Sequence, residues 1–217
     1  MHEFLVNLSA MRRQYASRSL ELTDLQADPF AQFDLWMREA IETELLEPNA
    51  MALATVSAAG APTVRTVLLK GFDPRGLVFY TNYASAKARD LAANAQVACL
   101  FQWLPLERQV SVRGRAEKIS TAESLKYFLS RPHDSQIGAW ASRQSQVITT
   151  RALLEEKFAE MKNKFQAGQV PLPEFWGGYR VIPHTFEFWQ GRPNRLHDRM
   201  VYRQAAAGDW QIERLMP

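Results

Sequence analysis

The sequence predicts an α+β fold, an antiparallel β-barrel with flanking helices. β-rich runs follow one another along most of the chain with turn sequences between them, and helical stretches are inserted without a regular β-α-β alternation. The 217 residues suffice to bury a hydrophobic core, and 47% hydrophobic with 23% charged residues is typical of a folded globular protein. We predict an N-terminal arm over residues 1–27 and a single domain over residues 28–217.

The predicted helices are indicated by their caps and by apolar spacing. Asp28 followed by Pro29 is an N-cap with proline in the first turn, and apolar residues then recur at helical spacing, so this helix is expected to run until Pro48. Ser120 and Glu123 form a capping box before a helix over residues 121–131. The same reasoning places helices over residues 85–94 and 150–166 and a short helical piece around residues 11–15.

The predicted strands are runs of β-branched and aromatic residues bounded by turn sequences. Turns at residues 59–62 and 73–76 separate the first three runs, which therefore form an antiparallel meander. A second turn type, Ala207-Gly208-Asp209, indicates a C-terminal hairpin. The full set of predicted strands covers residues 51–57, 63–70, 77–82, 96–103, 108–119, 179–182, 185–190, 199–203 and 210–215.

Composition and missing motifs exclude several classes of function. The net charge of +3 is mild and the basic residues are scattered, so nucleic acid is not an expected partner. Neither a membrane span nor a secretory signal is apparent, and we expect a cytoplasmic protein. Cys99 lies in an apolar run and is expected to be a buried, inert thiol, and the histidines show no metal-binding spacing, so no metal site is predicted. P-loop, dinucleotide-binding and G-x-S-x-G motifs are absent, so any phosphate must be held by side chains.

Cations within apolar segments indicate anion binding. Arg65 and Lys70 lie in one predicted strand, and their five-residue separation places them on opposite faces, so they are expected to serve different anions or ordinary salt bridges at the rim of the barrel. Tyr127 and Arg131 are four residues apart on a predicted helix, and Ser135 is expected in the turn after Pro132. A phenol, a guanidinium and a hydroxyl on one face suit a phosphate monoester.

A third group of candidates lies near the C-terminus. If the segment is extended, Arg195, His197 and Arg199 share one face, and three potentially cationic side chains in a row would repel one another unless they face water or bind an electron-rich ligand. The preceding run that contains Phe188 and Trp189 adds an aromatic surface.

Seven motifs in order along nearly the whole chain resemble the pyridoxine/pyridoxamine 5′-phosphate oxidase family. The matching segments are RTVLLK at residues 65–70, FYTN at 79–82, LERQV at 106–110, SRPHDSQIGAW at 130–140, PLPEFWGG at 171–178, EFWQG at 187–191 and RLHDR at 195–199. The resemblance implies a homodimer of FMN-binding split barrels with FMN at the dimer interface. It also implies oxidation of pyridoxine or pyridoxamine 5′-phosphate to pyridoxal 5′-phosphate, with O₂ as acceptor and H₂O₂ as product.

The resemblance also implies roles for individual residues. Arg65 and Lys87 would hold the FMN phosphate, and the remaining cofactor-binding residues would be Thr66, Val67, Leu68, Leu69, Lys70, Tyr80, Thr81, Gln109, Gln144, Ser145, Trp189 and Arg199. The substrate phosphate would be held by Lys70, Tyr127, Arg131 and Ser135. Arg195 and His197 would lie over the pyridine ring as the catalytic pair, with His197 able to accept the departing proton. Arg12 and Tyr15 of the N-terminal arm would close over the substrate.

Three other functions compete with this hypothesis. A split-barrel flavin or deazaflavin reductase of other specificity would keep the anion site at Arg65 and Lys87 but has no use for the substrate-phosphate group. A nucleic-acid binder built on a small barrel is compatible with the aromatic strands and predicts a colourless protein. A structural dimer without a ligand leaves the basic residues near position 197 unexplained.

Overall fold

The computed structural model describes residues 14–15, 18–166 and 168–217, and these divide into two compact units. The larger unit contains residues 49–101 and 112–184, and the smaller contains the described residues up to 48 together with 102–111 and 185–217. The helices are α1 (Pro29–Glu42), α2 (Ala86–Ala93), α3 (Thr121–Ser130), α4 (His133–Ala141) and α5 (Arg151–Lys164). The strands are β1 (Ala50–Val56), β2 (Pro62–Leu68), β3 (Gly71–Asp73), β4 (Gly76–Asn82), β5 (Gln96–Trp103), β6 (Arg108–Lys118), β7 (Trp176–Gln190), β8 (Asp198–Gln204) and β9 (Trp210–Leu215).

The larger unit is built on strands paired in the order β2-β1-β5-β6-β7-β4-β3. The pairs β1–β2, β1–β5, β3–β4 and β4–β7 are antiparallel. The predicted meander of the first three runs is correct for β1 and β2 but wrong for the third run, because β4 pairs with β3 and β7 and is not a neighbour of β2 in this order. One of its apolar clusters surrounds Phe128, Ile137 and Trp176, which brings α3 and α4 against the start of β7. Helices α3 and α4 are thereby fixed beside the sheet, where their polar residues frame a cavity.

The smaller unit packs α1 against the second half of β7. Trp36 meets Phe188 edge to face with ring centroids 5.2 Å apart, and Phe30 meets Phe186 at the same distance. Residues 185–190 of β7 pair with β8, and β8 pairs with β9, both antiparallel. The buried face of α1 is therefore the apolar face that the spacing of its hydrophobic residues predicts.

Most strands and helices agree with the sequence prediction, and the differences concern the end of α1, the helix α4, the additional short strand β3 and the length of β7. Strands 96–103 and 210–215 and the capping box at Ser120 are confirmed. Helix α1 ends at Glu42 rather than at Pro48, because Thr43 caps it. Ser135 was expected in the turn after Pro132, but it lies at the start of helix α4, because Pro132 serves as the N-cap of this additional helix. Residues 176–190 form one strand, because the extended backbone continues through Pro183.

Three further predictions concern the thiol, the arm and the membrane. Cys99 is 1% exposed and burial raises its pKa to about 12, which confirms a buried, unreactive thiol. Of the predicted helical piece at residues 11–15, positions 11–13 lie outside the described residues, and Gln14 and Tyr15 are not helical. No helix in the described part of the chain combines the length and the apolar character needed to span a bilayer. The division into arm and single domain stays a prediction.

A buried arginine holds α1 in the smaller unit. The Arg108 side chain is 7% exposed and its guanidinium lies 4.2 Å from the Trp36 ring centroid. It donates hydrogen bonds to Glu39 on α1 and to Gln190 on β7. Burial is the main influence on the pKa of Arg108 and lowers it, whereas Glu39 opposes this shift. The carboxylate of Glu39 therefore compensates a charge that is costly to bury.

We expect Glu39→Gln to lower the free energy of unfolding by about 1–3 kcal/mol, because it leaves the Arg108 guanidinium without its carboxylate. Urea unfolding of the purified protein measures the loss. Asp34→Asn is the matched control on the same helix, since the Asp34–Arg38 pair is exposed and should change stability by less than about 0.5 kcal/mol. Equal losses in the two variants would contradict this role of Arg108.

Candidate functional site

A cavity of about 490 Å³ opens in the larger unit between the sheet and the helices α2, α3 and α4. Strands β2 and β4 form one side, and α3, α4 and the segment after α4 form the other. Its lining residues are Thr66, Val67, Leu68, Lys70, Tyr80, Thr81, Asn82, Lys87, Tyr127, Arg131, Ser135, Gly138, Ala139, Ser142, Gln144 and Trp176.

The lining of this cavity carries positive charge without compensation. Lys70, Lys87 and Arg131 line it, whereas no aspartate or glutamate is among the described residues that do so. Cations in a confined, partly desolvated space attract anions strongly, because water screens the charges less there. Oxygen-rich anions such as phosphate monoesters match both the charge and the hydroxyl groups of Tyr127 and Ser135.

Lys87 is the most buried cation of the cavity. It lies in the first turn of α2, which begins at the N-cap Ser85, and the residue is 8% exposed. Its Nζ donates to Thr81 Oγ1 at 3.1 Å and to Gln144 Oε1 at 3.0 Å, both of them neutral acceptors. Burial lowers the pKa of Lys87, and the positive charge of Arg65 lowers it further. An anion in the cavity would supply the countercharge that these neutral acceptors lack.

Arg131 and Tyr127 form a second cationic region at the end of α3. Arg131 is the C-cap of α3, and its guanidinium carbon lies 4.8 Å from the Trp176 ring centroid. Its Nη1 is buried and has no hydrogen-bond partner among the described residues. Burial lowers the pKa of Arg131 and raises that of Tyr127. The structure brings Tyr127, Arg131 and Ser135 together, since all three line the same cavity.

Stacked aromatic rings form one wall of the cavity. The Tyr80 ring stacks on Tyr127 at 3.9 Å between centroids and on Trp176 at 5.4 Å, with interplanar angles of 18° and 10°. A Cβ atom at Gly178 would lie 3.0 Å from Tyr80 Cε1 and 2.5 Å from Ile119 Cδ1, so the ring can occupy this position only beside a glycine. The wall offers a flat apolar surface next to the cations, which suits a planar ring that carries a phosphate.

Arg65 lies outside the lining of this cavity. Its Nη1 donates to Thr55 Oγ1 at 2.6 Å and its Nη2 to Thr63 Oγ1 at 2.5 Å, while Asp90 Oδ2 lies 3.7 Å from Nη2. Both threonine hydroxyls donate to the Asp90 carboxylate. Lys70, which follows the end of β2, lines the cavity and Arg65 does not.

Two other predicted cofactor residues of the larger unit also lie outside the cavity. Leu69 is 5% exposed and belongs to the core. Ser145 lines a separate cavity of about 340 Å³ formed by residues 141–157, and its Oγ accepts a hydrogen bond from the Ala86 N–H. The cavity therefore brings together Thr66, Val67, Leu68, Lys70, Tyr80, Thr81, Lys87, Gln144, Tyr127, Arg131 and Ser135.

The smaller unit brings together three more of the predicted residues. Tyr15 lies edge-on to Trp189 and to His197, at centroid distances of 5.8 Å and 5.6 Å, and Trp189 lies 4.6 Å from His197. A Cβ atom at Gly191 would lie 2.8 Å from Tyr15 Cγ, so a glycine is needed for Tyr15 to pack here. Gln109 is half-buried on β6, and Arg12 is not among the described residues.

The predicted row of Arg195, His197 and Arg199 on one extended face is wrong. Residues Pro193–Arg195 form a 3₁₀ turn in which Asn194 and Arg195 have positive φ angles of 58° and 63°, and β8 begins only at Asp198. Arg195 is exposed, whereas Arg199 Nε donates to Glu187 at 2.7 Å and its pKa is raised mainly by that bond. The turn removes the regular alternation that would place the three side chains on one face of a strand.

Sequence reasoning assigned no role to several residues of the site. Trp176 contributes the end of the aromatic wall, and Asn82 lines the cavity while its Nδ2 donates to the Ser142 carbonyl. Both residues occur in segments that carry the family resemblance, and this was the only indication in the sequence that they belong to the site. Asp90 had no signal, since its pairing with Arg65 depends on α2 and β2 meeting in space.

The antiparallel sheet and the cationic, aromatic-walled cavity are those of a protein class suited to planar ligands that carry a phosphate. The chain belongs to the pyridoxamine 5′-phosphate oxidase family. Residues 37–165 match the family described as "Pyridoxamine 5′-phosphate oxidase", and residues 176–217 match "Pyridoxine 5′-phosphate oxidase C-terminal dimerisation region". The second match supports the homodimer predicted from the sequence, and family membership indicates a flavin cofactor.

Curated relatives match along the full length. A "Pyridoxine/pyridoxamine 5′-phosphate oxidase" of Rippkaea orientalis is 58% identical over 98% of this chain and 100% of its own length. One of the same description from Crocosphaera subtropica is 59% identical over the same shares. These matches confirm the family that the sequence motifs predicted.

Solved structures confirm the fold class. PhzG from Burkholderia lata, solved with tetrahydrophenazine-1-carboxylic acid, has a TM-score of 0.86 at 28% identity and covers 93% of this chain and 100% of its own. A pyridoxamine 5′-phosphate oxidase-related, FMN binding protein from Nostoc punctiforme has a TM-score of 0.71 at 16% identity and covers 89% and 100%. The predicted split-barrel fold is confirmed by these likenesses.

We expect inorganic phosphate to raise the midpoint of thermal unfolding of the ligand-free protein. At about five times its dissociation constant, bound phosphate adds about 1 kcal/mol of stability, or about 2–4 °C in Tm. Arg131→Met should reduce this shift, because it removes a cation with an unpaired Nη1. Arg151→Met, on the exposed face of α5, is the control and should keep the shift. The same shift in both variants would exclude Arg131 from anion binding.

Proposed function

We propose that this chain is an FMN-dependent oxidase that converts pyridoxine 5′-phosphate and pyridoxamine 5′-phosphate to pyridoxal 5′-phosphate. Pyridoxine 5′-phosphate loses two hydrogens, from C4′ and its hydroxyl, and O₂ is reduced to H₂O₂. Pyridoxamine 5′-phosphate additionally consumes one water and releases ammonia. The relatives at 58% and 59% identity support this assignment, and the observation that carries it is the cationic cavity, whose described lining residues include no carboxylate.

Two phosphates are proposed to share the positive charge of the cavity. Lys87, with Thr81 and Gln144 beside it, would hold the phosphate of FMN, and the neutral partners of its ammonium support this role. Arg65 would support the binding of this phosphate through its charge, which already acts on Lys87 and lowers the pKa of that lysine. When bound, the flavin supplies the hydride-accepting chemistry that side chains lack.

Lys70, Tyr127, Arg131 and Ser135 would hold the substrate phosphate. All four line the cavity, and the free Nη1 of Arg131 gives this group a donor that no described residue engages. A phosphate anchored in this way fixes one end of the substrate, so that binding is converted into alignment of C4′ for hydride transfer. No residue of this group has to act as a strong base, because the group only positions the substrate and neutralises the charge of its phosphate.

Residues of the smaller unit are proposed to complete recognition of the rings. Tyr15, Trp189 and His197 form one aromatic cluster, which supports the predicted place of Tyr15 and His197 near the substrate ring. The family resemblance further implies a cofactor-binding role for Gln109 and Arg199 and a substrate-binding role for Arg195 and Arg12, and we keep these roles in the proposal. The homodimer with FMN at its interface and a cytoplasmic location also belong to this proposal.

An absorption spectrum in one cuvette tests the proposed function. We expect the purified protein to be yellow, to bleach when pyridoxine 5′-phosphate is added without air, and to recover its colour when air is admitted. Lys70→Met should need more substrate to bleach, because it removes one cation from the substrate-phosphate group while Lys87 remains. A yellow protein that never bleaches would instead favour a split-barrel flavoprotein of other specificity. A colourless protein that also ignores added FMN would refute the enzyme.

A further inference from the structure

A buried carboxylate next to His197 joins three segments of the smaller unit. Asp198, the first residue of β8, is 8% exposed. Its Oδ2 accepts the Leu20 N–H at 3.0 Å and lies 3.4 Å from Arg192 Nε, while its Oδ1 accepts from Arg214 Nη1 at 2.9 Å. The N-terminal segment, the loop after β7 and strand β9 therefore meet at one side chain that the sequence motifs did not single out for function.

The loop between Arg192 and His197 is closed by a hydrogen bond to the imidazole. The Arg192 backbone N–H donates to His197 Nδ1 at 3.1 Å. The turn at residues Pro193–Arg195, with its two positive φ angles, brings the ends of the loop together. Because a neutral imidazole has one protonated nitrogen and one acceptor nitrogen, an accepting Nδ1 places the proton on Nε2.

The surroundings of His197 favour this neutral ring in one orientation. Burial lowers the pKa of His197, the positive charge of Arg195 lowers it further, and Asp198 opposes both. A proton on Nδ1 would remove the hydrogen bond from Arg192, which adds to the cost of charging the ring. Tyr15 and Trp189 pack against the imidazole and restrict its rotation. No hydrogen bond from the described residues engages Nε2.

We propose that Asp198 and Arg192 are positioning residues that hold His197 as the neutral Nε2–H tautomer, so that the imidazole donates a hydrogen bond to the substrate. Asp198 fixes the Arg192 side chain, and the backbone N–H of the same residue fixes the tautomer of His197. In this tautomer Nε2 has no free lone pair, so His197 does not accept the departing proton there. The assignment of the acceptor as substrate rests on the proposed function, whereas the tautomer does not.

The tautomer is tested by ¹⁵N NMR of the histidine side chains in the protein without substrate. We expect His197 to show a protonated Nε2 and an unprotonated Nδ1 as a single population. Arg192→Gln should convert this signal to a mixture of tautomers, because the loop loses its ion pair with Asp198. Arg203→Gln is the matched control, since its pair with Glu213 joins β8 to β9 at an exposed position. An Nδ1–H tautomer in the wild-type protein, or an Arg192→Gln spectrum equal to wild type, would overturn the proposal.

Two substitutions at position 197 test the donor role in catalysis. The amide nitrogen of glutamine lies close to the position of Nε2 and that of asparagine close to the position of Nδ1. We therefore expect His197→Gln to retain roughly tenfold more kcat/KM than His197→Asn, the worth of one hydrogen bond. Equal or reversed values would overturn the donor role.

The two experiments separate failure of this inference from failure of the proposed function. A protein without activity on pyridoxine 5′-phosphate would refute the function, yet its NMR spectrum would still decide the tautomer. Asp198→Asn should have the same spectral effect as Arg192→Gln. If Asp198→Asn does not fold, Arg192→Gln carries the test alone, since the Arg192 side chain is 37% exposed and its loss leaves the core intact.

Discussion

The central physical constraint on the cavity of the larger unit is its uncompensated charge. Three cations, Lys70, Lys87 and Arg131, line it, and no carboxylate is among its described lining residues. Such charges are costly to desolvate, and here neutral acceptors, an aromatic ring and open solvent only partly compensate them. Lys87 is held by Thr81 and Gln144, and Arg131 by the face of Trp176. A phosphate bound there would remove the remaining cost, which supports the proposal that the cavity holds phosphorylated ligands.

The fold supplies each cation from a different element. Lys70 follows the end of β2, Lys87 comes from the first turn of α2, and Arg131 caps α3 just before Pro132 starts α4. Arg65 contrasts with these three, because Asp90 and two threonines already satisfy it. Two classes of cation thus occur in neighbouring positions, one compensated within the fold and one left for a ligand.

Period and capping signals predicted most elements, and they predicted the site where its residues are close in sequence. The spacing of Tyr127 and Arg131 on one helix was enough to place both in one cavity. The true conformation of residues 195–199 could not be predicted from the sequence, because the positive φ angles at Asn194 and Arg195 leave no periodic pattern. The Arg65–Asp90 pair and the ties of Asp198 depend on segments far apart in sequence, so only the folded chain reveals them.

Lys87 and its neighbours are proposed to recognise the phosphate group of a flavin. Titration of the apoprotein with FMN and with riboflavin, for the wild type and for Lys87→Met, tests this recognition most directly. We expect the wild type to bind FMN at least about 100-fold more tightly than riboflavin, the worth of one or two charged hydrogen bonds. Lys87→Met should lower this ratio of affinities, because it weakens the binding of FMN and leaves the binding of riboflavin unchanged. Equal affinities of the wild type for FMN and riboflavin, or an unchanged ratio in the variant, would contradict the account.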